Sequence, residues 1–269
     1  ALGQQAGVGP YEVIVVDDGS TDDTAALARA AGARVITTTR GRPAAARNTG
    51  ARAAQGDILC FTDADCVPIA DWLREISAPF ADPTVVATKG TYITHQTSLV
   101  ARFVQLEYEE KYDRLRAQPV IDFVDTYSCA YRRAALLADG GFDERFHYLE
   151  DQELSFRLAA RGLCMVFAER AVVAHHHSDT LARYLRKKAT IGYWKAQVVR
   201  RFPDRVVRDS HTPQIMKPQM ALASLLPAAL AVGLVALAAG GAAATWLLGG
   251  AGLLALVFLA TTLPFVARA

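Results

Sequence analysis

The chain reads Phe61-Thr62-Asp63-Ala64-Asp65-Cys66 at the point where a buried strand is predicted to end. The apolar run before it, residues 57–61, predicts that strand. If the extended conformation continues, Asp63 and Asp65 point to the same side. Two carboxylates there can hold a divalent cation, and the cation can hold a diphosphate. An isolated Asp-x-Asp is also typical of a solvated turn, so the flanking sequence has to decide.

Composition divides the chain into a charged part and an apolar tail. Its 269 residues carry a formal net charge of +2, and the length fits one large or two small domains. This near-neutral balance gives no electrostatic reason for a nucleic-acid partner, and we expect none. Residues 218–267 contain no charged side chain, whereas charges are dense before them. We therefore expect a soluble domain followed by a membrane tail.

Strands and helices alternate on the N-terminal side of the Asp-x-Asp stretch. Residues 11–16 (YEVIVV) and 34–39 (RVITTT) predict strands, and residues 25–31 and 44–54 predict helices. With the strand that leads into Asp63, this order implies right-handed parallel crossovers. The sequence therefore predicts an α/β domain with a mostly parallel sheet flanked by helices.

Polar residues lie where these strands end. Asp18 could accept hydrogen bonds from a base or ribose, but a carboxylate at a helix start is equally typical. Arg47 and Asn48 lie on the helix that faces the next strand end, where an arginine can bridge phosphate oxygens. A solvated arginine is the alternative.

Three later stretches carry further candidates. Residues 98–116 have helical periodicity among many charges and predict a surface helix. Glu150 and Asp151 open the helix predicted over 152–160; they complement the macrodipole there, or take a proton from an acceptor hydroxyl. His175 and His177 share a face of an extended segment and could complete a metal shell or touch phosphate, unless they are ordinary surface histidines.

The C-terminal third predicts contact with a membrane. Residues 180–201 are basic and amphipathic, which fits an interfacial helix on an anionic leaflet or a solvated helix packed on the domain. Residues 220–239 and 242–266 are each long enough to span, and the break at Gly240-Gly241 predicts a hairpin. A buried helical hairpin is the alternative. Basic residues before the first span, and Arg268 after the second, place both chain ends in the cytoplasm.

Taken together, these stretches resemble the family 2 glycosyltransferases, which have the GT-A fold. The resemblance covers about residues 11–180 and rests on the order and spacing of its motifs. The matching motifs are Val13-Ile14-Val15-Val16-Asp17-Asp18-Gly19-Ser20-Thr21-Asp22, Ala46-Arg47-Asn48-Thr49-Gly50, Phe61-Thr62-Asp63-Ala64-Asp65, Arg132-Arg133-Ala134, Gly140-Gly141-Phe142-Asp143-Glu144, Glu150-Asp151 and Val173-Ala174-His175.

The resemblance implies a nucleotide-sugar site. By this match, Asp17 and Asp18 contact the nucleobase and ribose, and Arg47 and Asn48 lie beside the donor's diphosphate. Asp63 also belongs to this donor site.

The resemblance further implies a metal and a catalytic base. Asp63 and Asp65 match the metal motif, with Asp65 the more direct ligand of Mn²⁺ or Mg²⁺. His175 matches a late histidine near metal and phosphate. Asp151 matches the base that deprotonates the acceptor, with Glu150 beside it.

The implied protein is an inverting, metal-dependent hexosyltransferase-type enzyme. It would move a sugar from a UDP- or GDP-sugar to a lipid-linked or glycan acceptor. We expect a GT-A domain over 1–180, a basic amphipathic interfacial segment over 181–217 and two transmembrane helices over 218–269. The expected location is the inner (plasma) membrane, multi-pass, with the catalytic domain in the cytoplasm.

Two family motifs are not found in this sequence. The first strand with its Pro-x-x-Asn-Glu-like motif is one, so we expect an N-terminally truncated domain. The Gln-x-x-Arg-Trp motif of processive synthases is the other, which favours transfer of a single sugar.

Two other functions stay open. A nucleotidyltransferase would share the α/β layout, but it predicts a glycine-rich basic loop where this chain has the acidic Asp17-Asp18-Gly19-Ser20. A catalytically inactive membrane scaffold is the second alternative, and binding of a donor without turnover would support it.

Overall fold

The computed structural model describes residues 1–39, 41–206, 216–240 and 243–266 of the chain. The chain divides into two compact units, one within Ala1–His211 and the other within Thr212–Ala269. Three sequence-based expectations fall partly or wholly outside the described residues. They concern the end of the interfacial segment at 207–215, the second glycine of the Gly240-Gly241 break, and Arg268.

The first unit is an α/β domain. Its strands are β1 (Ile14–Asp17), β2 (Arg34–Thr37), β3 (Ile58–Thr62), β4 (Cys66–Pro68), β5 (Val85–Ile93), β6 (Ser128–Arg132) and β7 (Cys164–His175). Its helices are α1 (Thr24–Ala30), α2 (Arg42–Ala53), α3 (Trp72–Ser77), α4 (Leu99–Arg116), α5 (Arg133–Ala138), α6 (Glu150–Ala160) and α7 (Leu181–Arg201).

The strands form two sheets with mixed directions, which corrects the expectation of a mostly parallel sheet. β1 and β2 pair in parallel, and a second sheet has the order β3-β6-β5-β7-β4. In that sheet β5 and β7 are parallel, whereas β6 is antiparallel to both neighbours and β4 is antiparallel to β7. The reason is the connection through α4, after which the chain re-enters at the end of the sheet where β5 finishes.

Sheet register brings separate motifs to neighbouring positions. Cys66 on β4 lies opposite His175 on β7, so the residue after the Asp-x-Asp stretch meets the histidine run. Thr62 at the end of β3 lies opposite Ser128 on β6. The Ser128 hydroxyl accepts a 2.9 Å hydrogen bond from the buried Trp72 indole, which fixes α3 against this part of the sheet.

The predicted surface helix is in fact partly buried. Ser98 caps α4 by accepting a 3.3 Å hydrogen bond from the Ala101 amide. Along α4, Lys111, Tyr112 and Leu115 are buried. A helix with many charges can be buried along one stripe, because only residues three or four apart share a face.

α7 leaves much of its apolar face in solvent within the first unit. Thr180 caps it through a 3.4 Å hydrogen bond from the Arg183 amide. Leu181, Leu185 and Tyr193 are exposed by 55–65%. An exposed helix face that carries both apolar and basic side chains is typical of a surface that binds a membrane or another protein.

The second unit consists of α8 (Met216–Ala238) and α9 (Ala244–Val266). A side chain at Gly233 would come within 2.7 Å of Leu248 Cδ2, so the two helices pack closely there. In the described part of the chain, one 18-residue window, Ala244–Thr261, is long and apolar enough to cross a membrane. α8 contributes a shorter apolar stretch, Leu225–Ala238, and the hairpin of two spans stays a prediction.

Candidate functional site

A turn follows β3 and separates the two aspartates of the Asp-x-Asp stretch. The Cys66 amide donates a 3.1 Å hydrogen bond to the Asp63 carbonyl, which closes the turn. The extended conformation therefore stops at Thr62, and the expectation that both carboxylates share one side needs correction. Asp63 instead accepts a hydrogen bond from Arg47, and Asp65 lies 3.2 Å from His175 Nε2.

Arg47 joins the end of β3 to the start of α6. Its Nη2 donates a 2.8 Å hydrogen bond to Asp63 Oδ1, and its Nη1 donates to Glu150 Oε1. The guanidinium also lies over the Phe142 ring, 5.8 Å from its centroid. The side chain is 16% exposed, so one partly buried positive charge contacts two carboxylates that are far apart in sequence.

Glu150 and Asp151 begin α6 from an unusual backbone. Leu149, just before them, has φ +64°, a left-handed conformation that is costly for a leucine. Glu150 is buried, and burial together with the Asp151 charge raises its pKa to about 7, although Arg47 opposes this. Burial also raises the pKa of Asp151, and Arg47 again opposes it. A raised pKa makes a carboxylate a stronger base, which favours a role in taking a proton.

Three potential metal-ligating groups converge beside β4 and β7. Ligand atoms of Asp65, Cys66 and His175 all lie within 4.8 Å of one another. Burial and the charges of Asp63 and Asp65 raise the pKa of the Cys66 thiol to about 12, so it stays protonated and is a poor ligand. The carboxylate and imidazole that remain fit a divalent cation such as Mn²⁺. Sequence reasoning missed Cys66, although its position directly after Asp65 was a usable signal.

The histidine run separates into three different environments. His175 faces Asp65, His176 is exposed, and His177 is 3% exposed. Burial and the His175 charge lower the pKa of His177 to about 4. Of the two candidate ligands, only His175 therefore belongs to the converging set.

Asp17 and Asp18 are held by donors near the ends of β1 and β2. Asp17 is buried and accepts a 3.0 Å hydrogen bond from the Ser20 amide. Asp18 accepts from the Thr38 hydroxyl at 2.8 Å and from the Gly41 amide at 2.6 Å. The Gly41 hydrogen bond is the main reason that the pKa of Asp18 is lowered, so this carboxylate is ionised at neutral pH.

Asn48 faces away from Arg47, although the two are neighbours in sequence. Its Nδ2 donates to the Phe142 carbonyl at 2.8 Å and to Glu144 Oε1 at 2.9 Å. Its Oδ1 accepts from the Phe142 amide at 2.8 Å. The amide thus fastens α2 to the loop after α5, and these internal bonds occupy the groups that would meet a diphosphate.

A buried charge cluster, which sequence reasoning missed, joins α4 to β5. Lys89 is fully buried, forms an ion pair with Asp125 and donates to the Tyr127 hydroxyl at 3.1 Å. Lys111 Nζ lies 3.0 Å from the same Asp125 carboxylate. Burial lowers the pKa of Lys89 to about 7. Charges on a predicted surface helix gave no signal for this cluster.

Comparison with known proteins places the chain in a family. A family model described as "Glycosyl transferase family 2" matches residues 2–139, just over half of the chain. The chain belongs to glycosyltransferase family 2. This confirms the resemblance drawn from the motifs.

Several curated glycosyltransferases are similar to this chain in sequence. A pre-mycofactocin glycosyltransferase of Mycobacterium tuberculosis is 32% identical over 169 residues, which are 61% of this chain and 36% of that protein. An O-antigen chain rhamnosyltransferase of Salmonella anatum is 26% identical over 202 residues, 70% of this chain and 63% of that protein. The chain thus spans between about a third and two thirds of the length of these relatives.

A solved structure shares the fold of this family 2 chain. A mannosyltransferase from Pyrobaculum calidifontis, in complex with GDP-Man and Mn²⁺, superposes with a TM-score of 0.61 at 24% identity. The match covers 96% of this chain and 77% of that one. It supports the GT-A α/β fold expected from the sequence, with the mixed strand directions described above.

Proposed function

We propose that this chain is an inverting, metal-dependent glycosyltransferase that moves a sugar from a UDP- or GDP-sugar to an acceptor hydroxyl. The observation that carries the proposal is the Arg47 bridge between Asp63 and Glu150. It joins the Asp-x-Asp stretch, which we propose binds the donor, to the carboxylates at the start of α6, which we propose act on the acceptor. The residues for donor and acceptor therefore lie in one site. The Pyrobaculum mannosyltransferase, with GDP-Man and Mn²⁺ bound, is consistent with this class of donor.

Asp65 and His175 are the residues that would hold the cation, Mn²⁺ or Mg²⁺. Asp63 lies at the start of the same turn after β3. A bound divalent cation supplies positive charge that stabilises the leaving diphosphate. Arg47 is placed to add charge at the same end, if the diphosphate draws its guanidinium from Asp63. Asp17 and Asp18 are proposed as the nucleobase and ribose contacts, and Asn48 holds α2 in place.

At the acceptor end, Asp151 is proposed as the general base, with Glu150 beside it. Asp151 takes the proton of the acceptor hydroxyl while that oxygen forms a bond to the anomeric carbon. The bond from this carbon to the diphosphate oxygen breaks in the same in-line displacement, which inverts the anomeric centre. The raised pKa of Asp151 favours its holding the proton.

We further propose that the acceptor is lipid-linked or part of a cell-surface glycan. The exposed apolar and basic side chains of α7 fit an interfacial segment over 181–217, and the apolar tail over 218–269 fits a membrane anchor. The proposed location is the inner (plasma) membrane, multi-pass, with the catalytic domain on the cytoplasmic side. The named function of the O-antigen relative is consistent with envelope glycan synthesis.

The test is binding and hydrolysis of a panel of UDP- and GDP-sugars by the full chain, with and without Mn²⁺. We expect one donor to bind only with metal. Asp65→Ala should abolish that binding, and Asp151→Asn should bind but lose about 10²–10⁴-fold in transfer. Asp113→Asn, an exposed carboxylate on α4, is the matched control and should behave as wild type. If no donor binds even when the family's N-terminal strand is added to the chain, the transferase proposal fails and the scaffold alternative leads.

A further inference from the structure

A chain of side-chain hydrogen bonds runs from α4 to the proposed metal ligand His175. Gln105 Oε1 lies 3.1 Å from His177 Nε2. His177 Nδ1 lies 2.9 Å from His175 Nδ1. On its other side, His175 Nε2 lies 3.2 Å from Asp65 Oδ2. Four side chains are thus connected in one direction, ending where a cation is proposed to bind.

The amide of Gln105 sets the direction of this chain. Its Nε2 contacts the Tyr92 carbonyl at 3.2 Å and Glu109 Oε1 at 3.1 Å, and both of these oxygens are acceptors. The amide nitrogen must therefore point at them, which turns Oε1 toward His177. Because an amide oxygen only accepts, His177 Nε2 has to carry the hydrogen.

The donor-to-acceptor order of the hydrogen-bond chain then continues through both imidazole rings. A neutral imidazole that donates from one nitrogen accepts at the other, so His177 Nδ1 accepts. His175 Nδ1 must donate to it. In a neutral His175 ring, Nε2 then carries the lone pair, and it lies 3.2 Å from Asp65 Oδ2. Two electron pairs that converge at this distance form a ligand pair for a cation.

We propose that Gln105 and His177 are positioning residues that fix the tautomer of His175 in which Nε2 is free to bind the metal. The inference rests on the metal role given to Asp65 and His175 under Proposed function. Partners behind a metal-ligating histidine act in this way because the hydrogen bond at one ring nitrogen decides which form the other presents.

Packing prevents the rings from escaping this arrangement. Tyr92 stacks on His175 with centroids 4.5 Å apart, and Tyr108 stacks on His177 at 5.7 Å with an interplanar angle of 6°. Gln96 holds the His177 backbone by accepting from its amide at 2.5 Å and donating to its carbonyl at 3.1 Å. Rotation of either ring out of its plane would break its stacking contact, and a 180° flip, which keeps the plane, would break the hydrogen-bond chain.

The first test reads the tautomers directly in the metal-free full chain, held in detergent micelles. Two-bond ¹H–¹⁵N correlation spectra of the [¹⁵N]histidine-labelled protein distinguish the protonated from the bare ring nitrogen. Spectra of His175→Asn and His177→Asn assign the signals. We expect His175 with hydrogen on Nδ1 and His177 with hydrogen on Nε2. A His175 ring that carries hydrogen on Nε2 and none on Nδ1 overturns the inference.

The second test measures Mn²⁺ binding alone, from the loss of the free-ion electron paramagnetic resonance signal. His177→Phe keeps the stacking on Tyr108 but removes the acceptor, and should weaken Mn²⁺ binding by about 10–100-fold. His177→Asn offers an amide oxygen in its place and should retain more affinity than His177→Phe. His176→Asn changes the exposed neighbour and should leave the affinity unchanged.

The outcomes separate this inference from the proposed function. If wild type binds Mn²⁺ and His177→Phe binds it equally well, the positioning role is overturned while the metal role stands. If wild type does not bind Mn²⁺, and Asp65→Ala makes no difference, the metal role itself fails and this inference fails with it.

Discussion

At the scale of single residues, Arg47 lies between two carboxylates from distant parts of the chain. The guanidinium is 16% exposed and the Glu150 side chain 9% exposed, so water screens this pair poorly. Removal of one partner of a buried ion pair leaves an uncompensated charge, which costs more than the pair itself contributes. The Asp63 side chain is 36% exposed, so water screens its charge and the loss of Arg47 would affect it less.

We therefore expect Arg47→Met to lower the free energy of unfolding by about 3–5 kcal/mol. Urea unfolding followed by circular dichroism measures it. The matched control is Arg52→Met on the same helix. Arg52 is exposed, contacts the Thr49 hydroxyl only at 3.5 Å, and should cost less than about 0.5 kcal/mol.

A double variant sharpens this test. Arg47→Met combined with Glu150→Gln removes both members of the pair, so the combined loss should be smaller than the sum of the single losses. Strict additivity would show that the two side chains do not interact in solution.

Residue types were easier to predict than residue partners. The order of motifs identified Asp63, Asp65, Glu150 and Asp151 as candidates, and their roles stay predictions. It could not separate Arg47 from Asn48, which sit side by side on α2. Consecutive helical residues point about 100° apart, so one faces α6 and the other faces the loop after α5.

At the scale of elements, the loop between α5 and α6 turns at its two glycines and is fixed to α2 by Asn48. Gly140 and Gly141 have φ +82° and +73°, in the left-handed region that side chains avoid. A Cβ on Gly140 would meet open space, whereas one on Gly141 would lie 2.4 Å from Asn48 Oδ1. The two neighbours thus differ in what a methyl group would displace.

Gly141→Ala should cost about 3–4 kcal/mol, which is the left-handed backbone penalty plus two lost hydrogen bonds between Asn48 and Phe142. Gly140→Ala should cost only the backbone part, about 1–2 kcal/mol. The shift in urea midpoint measures both. Equal losses would contradict the role given to Asn48.

Sequence patterns predicted where helices and strands lie better than they predicted the direction in which each strand runs. The helix predicted over 98–116 is α4 (Leu99–Arg116), and the one over 44–54 is α2 (Arg42–Ala53). Periodicity and caps are local, so they show in the sequence. The direction of β6, and the burial of Lys111, depend on where a connection returns and on what packs against it, which no local pattern contains.

At the scale of the whole molecule, the chain combines an α/β unit with a helical unit that contains an apolar span. In α9, Leu253 is 62% exposed and lies near the middle of the Ala244–Thr261 window. A side chain exposed at the centre of a lipid-embedded helix would contact hydrocarbon. A charge at that position is therefore a direct probe of insertion.

If α9 is embedded in lipid, Leu253→Arg should disfavour its insertion by about 2.5–3.5 kcal/mol relative to an apolar residue. The fraction of chain that resists carbonate extraction from membranes would fall. Leu253→Ala keeps the helix apolar and serves as the control. If both variants stay in the pellet like wild type, α9 does not hold the chain in the bilayer.

The Arg47 bridge also couples the binding of an anion to the protonation of Glu150. One guanidinium cannot fully serve Asp63, Glu150 and an incoming anion at once. An anion that draws Arg47 away leaves Glu150 with a still higher pKa, so Glu150 keeps its proton. By linkage, a proton on Glu150 must favour the anion equally. On the proposed function, arrival of the diphosphate at one end of the site would thus change the proton affinity of the carboxylate at the other end.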